Sequence, residues 1–234
     1  MSTAEKAVEP LYPGQRLSRK EFLRRWDAMP ELKFAELING VVYMPSPQTS
    51  DHGRIQLSIA GWLGVYVAHT PGCGGGSQST WMMLQSAPQP DIYLWILPEC
   101  GGQSGIRGNY HIGAPDLAVE ICYSSAAYDL GVKKDLYRKA GVREYVAVLV
   151  EEREIRWHRL AKRTYELCPP ARGGVFRSET FPGLWLDGPA LWKRDLARLL
   201  RTLQRGLQST EHARFVRVLE SKLRQNATGR HRGT

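Results

Sequence analysis

Apolar and polar positions along this chain alternate with two different periods, and the changes between them outline the elements. Ser18–Met29 (SRKEFLRRWDAM) predicts a short helix, with Ser18 as its cap and Glu21 at capping-box spacing. Phe34–Ile38 and Val41–Met44 flank Asn39-Gly40, the strongest short hairpin signal. Ile55, Ile59, Trp62, Leu63 and Tyr66 recur at helical spacing and predict a helix from about Asp51 to Ala68, which Gly72–Gly76 breaks. Trp81–Gln85 and Asp91–Leu97 read as strands joined through Pro88 and Pro90. The glycine-rich residues 98–114 read as a mobile connection. Leu117–Cys122 predicts a strand, Tyr128–Ala140 a helix, and Glu144–Val150 a further strand. Arg153–Leu160 with Thr164–Leu167 makes a closing hairpin, and Gly183–Leu186 a last short strand.

From Pro189 the period becomes helical. Leu196, Leu199, Leu200, Leu203 and Leu207 share one face, and a second helix starts near Thr210 with Phe215, Val218, Leu219 and Leu223. Mixed strands and helices of this kind predict an α/β (α+β) domain over residues 18–192. A loose leader covers 1–17, a helical extension 193–234, and residues 225–234 read as disordered. No internal repeat is visible.

Composition changes this picture in one place. The 234 residues carry a formal net charge of +9. Eleven Lys and Arg against three acids lie in 193–234, so the extension holds +8 and the rest of the chain +1. A basic extension suits nucleic acid, because Lys and Arg release counterions from the phosphate backbone; its bland counterpart is an amphipathic helix pair packed on the domain or a second subunit. The four cysteines (Cys73, Cys100, Cys122, Cys168) have no paired metal-ligand spacing, which excludes zinc-knuckle and CxxC redox readings. No apolar run approaches membrane-spanning length, so the default expectation is a reduced, cytoplasmic protein without a membrane partner.

The chemistry concentrates between Pro115 and Tyr137. Glu120 sits among apolar residues of a predicted strand, and Lys133 sits where a helix should present an apolar residue. Buried charges of this kind are costly unless paired, metal-bound or catalytic. Alternate strand residues share a face, so Asp116 and Glu120 point the same way, but four residues of strand span roughly 13 Å. One cation, with oxygen ligands within about 2.0–2.6 Å, cannot take both. Asp91, opening the preceding strand, is the natural partner for Glu120. On the helix, at about 100° per residue from Leu130, the mean direction of Leu136, Tyr137 and Ala140 is about 305°. Lys133 falls near 300° and Lys134 near 40° by the same count, so Lys133 faces the strand. The residues alone leave a structural ion pair open beside the catalytic reading.

Asp91 followed by Glu120, QPD and VEI in this chain, resembles the PD-(D/E)xK nuclease signature. That pattern places its lysine two residues after the glutamate, where this chain has Cys122. The whole run also resembles the Uma-type family of restriction-endonuclease-like proteins, in which the lysine lies on the following helix. The matching pieces are FAELINGVVYMPSP, His52-x-x-Ile55, QPDI, APDLAVEI, Asp129-x3-Lys133-x3-Tyr137, AGVREYVAV and FPGLWL. The family's strand usually continues into Ser-Pro-Ser after the glutamate, whereas Cys122-Tyr123-Ser124-Ser125 here lacks the proline. The resemblance implies a restriction endonuclease-like mixed central sheet flanked by helices, and adds Glu36 as a third acidic residue.

The expected activity is Mg²⁺-dependent hydrolysis of DNA phosphodiester bonds, with Mn²⁺ as substitute. Asp91, Glu120 and the Ile121 carbonyl hold the metal, Lys133 orients or helps deprotonate water, and Glu36 holds a water or second cation. His52 reads as a capping or structural histidine, Tyr137 as core with a hydrogen bond toward the site, and Asp116 as a local cap. The competing expectation is a catalytically degenerate nuclease fold acting in DNA binding or assembly, and a homodimer stays open. A transport or small-molecule hydrolase domain lacks its marks, since neither a phosphate loop, a nucleophile elbow nor a zinc signature is present.

Overall fold

The computed structural model describes residues 8–45, 47–123 and 126–230. The chain runs through α1 (Arg19–Asp27), the β1–β2 hairpin (Glu36–Ile38, Val41–Tyr43), α2 (Ser50–Ala68), β3 (Cys73–Ser77), β4 (Trp81–Met82) and β5 (Ile92–Ile96). There follow β6 (Gly105–Arg107), β7 (Tyr110–Ile112), β8 (Leu117–Cys122), α3 (Ala126–Tyr128), a π-helical turn over Asp129–Lys133, α4 (Lys134–Ala140) and β9 (Glu144–Leu149). The chain closes with β10 (Glu154–Ala161), β11 (Thr164–Leu167), β12 (Val175–Arg177), β13 (Trp185–Asp187), α5 (Gly188–Trp192), α6 (Leu196–Leu207) and α7 (Thr210–Arg230).

A mixed six-stranded sheet in the order β11-β10-β9-β8-β5-β3 organises these elements. β8 and β9 are parallel, joined by the α3–α4 crossover, and every other neighbouring pair in this sheet is antiparallel. Strand alternation divides the core between the two sheet faces. Leu117, Val119 and Ile121 of β8, with Ile92, Leu94 and Ile96 of β5, pack with α2 residues Ile55, Ile59 and Trp62. Ala118 and Cys122 of β8, with Tyr93 and Trp95 of β5, pack with Tyr137 of α4 and Tyr145 of β9. Glu120 shares the parity of the second set and therefore points to the α4 side.

Local chemistry explains the elements that hold the site. Asn39 and Gly40 have φ of 51° and 79°, the left-handed pair that a two-residue type I′ hairpin requires. α2 begins at Thr49, whose side chain accepts from the His52 N–H at 3.2 Å, and α1 begins at Ser18, which accepts from the Glu21 N–H. Before α1, Leu11 is buried, and the N–H groups of Gly14 and Leu17 donate to Val42 and Gly40 carbonyls at 2.8 Å each.

The leader expected to be loose is anchored from Leu11 onward, residues 1–7 lying outside the described residues, and the structure departs from the sequence expectations in four further places. Residues 98–114 are not a loose connection: β6 and β7 pair antiparallel, and β7 pairs β4. Their glycines serve geometry, since a Cβ at Gly102 would lie 1.8 Å from the Ile96 carbonyl oxygen. The strand expected over Trp81–Gln85 stops at Met82, because Met83 and Ser86 close a tight turn through reciprocal backbone hydrogen bonds of 3.1 and 2.8 Å. The helix expected over Tyr128–Ala140 contains the π turn. Finally, α7 continues to Arg230 because Lys222 and Asn226 donate to the carbonyls of Cys100 and Glu99; residues 231–234 lie outside the described residues.

The apolar face of the C-terminal helices belongs to the main core. Leu199 and Leu203 are fully buried and Leu219 nearly so, packed in the cluster that contains Trp62 and Tyr66. Among the described residues no helix is long and apolar enough to cross a membrane.

Candidate active site

The register between β5 and β8 brings the first two acids together. Ile92 pairs with Val119 in antiparallel fashion, so Asp91, one residue earlier, lies opposite Glu120, one residue later. Both share the α4 face of the sheet. The Asp91 N–H donates to Glu120 Oε2 at 3.4 Å, and Asp91 Oδ2 accepts from the Ile121 N–H at 2.7 Å. Thus the carboxylate of Asp91 takes the main-chain donor that β5 would otherwise have satisfied.

Lys133 arrives from the crossover. Its Nζ is 2.9 Å from Glu120 Oε1 and 2.9 Å from Glu36 Oε1, and lies 3.5 Å from the Gln89 carbonyl. Lys133 is 4% exposed, whereas Lys134 stays partly exposed. The π turn explains how two charged residues share this side. The Lys134 N–H reaches back five residues to the Asp129 carbonyl, which also accepts from the Tyr145 hydroxyl at 3.0 Å. Asp129 and Lys133 are both buried there. A π turn of this kind inserts one extra residue per turn and recurs at functional sites.

Glu36 is set by the hairpin. Its Oε1 accepts both from Lys133 and from the Gln89 N–H, the latter at 2.6 Å, so the QPD segment and β1 are tied through one carboxylate. Tyr137 donates its hydroxyl to Glu120 Oε1 at 2.6 Å. His52 places Nε2 3.6 Å from Asp91 Oδ2, and its buried Nδ1 has no hydrogen-bond partner. Asp116 lies apart: it is fully buried, accepts from the Ile96 N–H at 2.7 Å and faces Arg143 at 3.2 Å.

Charge in this pocket is unbalanced. Glu36, Asp91, Glu120 and Asp129 all act on the ammonium of Lys133. Burial raises the Glu120 carboxyl well above its ordinary value; Lys133 opposes that shift, while Asp91, Asp129 and Glu36 add to it. For Lys133, burial favours the neutral amine, yet Glu120, Glu36, Asp129 and Asp91 together outweigh it and hold the group as an ammonium. The site thus carries an excess of anionic oxygen. The cluster forms the floor of a cavity of about 730 Å³, whose wall includes Tyr43, Tyr123, Tyr128, Gln78 and Gln89. Sequence patterning did not single out the roles of Gln89, Tyr43 or Tyr128. The pair Gln89-Pro90 immediately before Asp91 was the available signal for the first.

Among the described residues no group of three or more His, Cys, Asp or Glu side chains is arranged to hold a metal ion. The candidate set is smaller: two carboxylates and a main-chain carbonyl. The Glu144 and Val150 N–H groups donate to Asp116 and Cys122, so even-numbered β8 carbonyls face β9. By alternation the Ile121 carbonyl faces the β5 side, beyond the last paired residue of β5.

No curated protein matches the chain. The crystal structure of a "putative nuclease belonging to DUF820" from Anabaena variabilis superimposes with a TM-score of 0.60 at 19% sequence identity, covering 76% of this chain and 98% of that one. At that identity the likeness shows the fold, a mixed sheet flanked by helices. The model of the family Uma2, described as "Putative restriction endonuclease", matches residues 19–188. The chain therefore belongs to the Uma2 family, whose description is "Putative restriction endonuclease".

Proposed function

We propose that the protein is a metal-dependent endonuclease that hydrolyses phosphodiester bonds of DNA, with Asp91, Glu120 and Lys133 in the roles of the PD-(D/E)xK residues. One observation carries this reading: the Lys133 ammonium bridges Glu36 and Glu120 at 2.9 Å each, beside Asp91, in an acid-rich cavity.

The donor set fits a hard divalent cation. Magnesium is commonly bound through one or two carboxylates, keeping waters and substrate phosphate in its remaining positions. Asp91, Glu120 and the Ile121 carbonyl would hold it. When bound, Mg²⁺, or Mn²⁺ in its place, polarises the phosphate and lowers the pKa of water. The protein's own residues do the rest. Tyr137 and Lys133 fix the orientation of Glu120 through Oε1 and leave Oε2 for the cation side. Two of the three Lys133 N–H donors are held by carboxylates. The third, loosely engaged by Gln89, is free to bind a phosphate oxygen as negative charge develops. As an ammonium, Lys133 acts by charge and hydrogen bonding rather than as a base. Glu36 positions Lys133 and, through the Gln89 N–H, the segment that carries Asp91.

The degenerate reading rests on Cys122 in the place of the usual lysine and on the missing proline after β8, where residues 124–125 lie outside the described residues. Cys122 is fully buried in the α4-side core, and the ammonium reaches Glu120 from the π turn instead. This favours retained chemistry. A nicking assay on supercoiled DNA with Mg²⁺ or Mn²⁺ tests it. We expect cleavage by the native protein, lost on chelation and reduced at least 10²-fold in Lys133→Ala and Glu120→Ala. Cleavage that survives in either variant overturns the assignment.

A further inference from the structure

Next to the carboxylates, the cavity wall is aromatic. Tyr43 lies directly opposite Glu36 across the β1–β2 hairpin, one cross-strand pair from the lysine cluster. Tyr128 immediately precedes the π turn, and its ring stacks on Tyr43 with centroids 4.4 Å apart and planes tilted by 36°. Tyr123 follows β8 at the exit from Glu120 and lines the same space. Phe34 lines it too and is 42% exposed, a large apolar ring facing solvent beside a charged floor. The Tyr128 hydroxyl is buried without a hydrogen-bond partner. Gln78 lines the same cavity from a left-handed backbone with φ of 52°, held by its N–H to the Pro90 carbonyl at 3.0 Å. A non-glycine residue in that region costs free energy and marks a constrained position.

Resting on the nuclease reading above, we infer that this wall takes an unstacked nucleobase adjacent to the scissile phosphate. The site then acts on single-stranded or base-flipped nucleic acid in preference to continuous duplex. Charge and shape both lead there. The acidic floor repels backbone phosphate everywhere except beside Lys133 and a bound cation, so the neutral rings suit the neutral part of a nucleotide. A volume of about 730 Å³ lies within the range that ligand-sized molecules occupy and holds a nucleotide with room to spare. Bases inside a continuous duplex present only their edges, whereas ring-on-ring contact needs a base out of the stack.

The test is fluorescence titration with a single-stranded oligonucleotide carrying 2-aminopurine, against the same strand annealed to its complement, in Ca²⁺. We expect quenching of the single strand and affinity at least tenfold above that for the duplex. Phe34→Ala with Tyr43→Ala should weaken single-strand binding about tenfold, as loss of one base stack does, and leave duplex binding unchanged. Tyr43→Phe, which keeps the ring, should bind like the native protein. Equal affinity for both forms, no quenching with either, or an unchanged double variant overturns the inference. Failure of the nuclease reading looks different: quenching and single-strand preference persist while no strand is cut in Mg²⁺ or Mn²⁺. Equal cleavage of duplex and single strand, in turn, removes the inference and leaves the nuclease reading standing.

Discussion

Lys133 Nζ lies 2.9 Å from Glu120 Oε1, although the lysine is on the crossover and the glutamate is on the central strand. Three carboxylates in contact with or beside the pair make the lysine a structural counter-charge as well as a candidate catalytic group. Removing it should therefore show in stability before activity is measured. Lys133→Ala leaves Glu120 and Glu36 buried without their partner, and loss of one member of a buried pair costs about 3–5 kcal/mol. We expect a loss of that order in chemical denaturation without metal at pH 8. Unchanged stability would mean that the ammonium is not seated between the two acids.

Glu120→Gln should act in the opposite sense. The amide keeps the shape, can still accept from Tyr137 and removes a charge that burial disfavours. Without divalent cation, this variant should be at least as stable as the native protein. Addition of Mn²⁺ should raise the melting temperature of the native protein and leave that of the variant unchanged. An equal Mn²⁺ shift in both proteins would place the cation elsewhere.

The pH dependence follows from the same carboxyl. Its folded-state pKa is raised well above the ordinary 4.5, so the folded protein holds that proton more tightly than the unfolded chain. Stability from this group is fully present below about 4.5 and is lost as pH rises through the raised folded value. Lys133, raised above 10.5, keeps its contribution across that window and loses it only above its own folded value. In chelator, melting temperature should therefore fall as pH rises above about 4.5, and Glu120→Gln should flatten the slope. The stabilisation by Mn²⁺ should grow with pH. A flat native profile in chelator would contradict the burial of Glu120 as a charge-disfavouring site.

How far the sequence reveals this site depends on the range of the interactions involved. Asn39-Gly40 predicts the first hairpin because the left-handed pair is a local demand. Leu117–Cys122 emerges with the expected bounds because its neighbours are apolar on both faces. Helical angles select Lys133 over Lys134, even though the local geometry is π rather than α, since both residues shift together. The π turn itself has no composition signal; it depends on Tyr145, sixteen residues away, holding the Asp129 carbonyl. The grip of Gln89 on Glu36 spans 53 residues of chain and is equally invisible to local patterning. Glycines at 98–114 read as looseness because close backbone approach, as at Gly102, looks the same in sequence as flexibility.

The C-terminal helices make a further test. Leu199, Leu203, Leu207 and Leu219 lie in the main core, and each fully buried side chain stabilises by roughly 1.5–3 kcal/mol. A chain ending at Lys193 should therefore lose its cooperative unfolding transition, rather than merely lose affinity for nucleic acid. Native-like thermal unfolding of that truncation would show the helices to be an appendage. Any role of the extension's positive charge is better read from Arg214→Gln with Arg217→Gln, whose side chains are exposed. A fall in the salt dependence of DNA binding in that variant would assign the basic face to phosphate contact.

Crystals soaked in Mn²⁺ and measured at the manganese absorption edge test the central claim most directly. The account requires an anomalous peak between the Asp91 and Glu120 carboxylates on the Ile121 carbonyl side, with Lys133 still paired to Glu120. A fully occupied manganese elsewhere, with Asp91 and Glu120 bare, would contradict it.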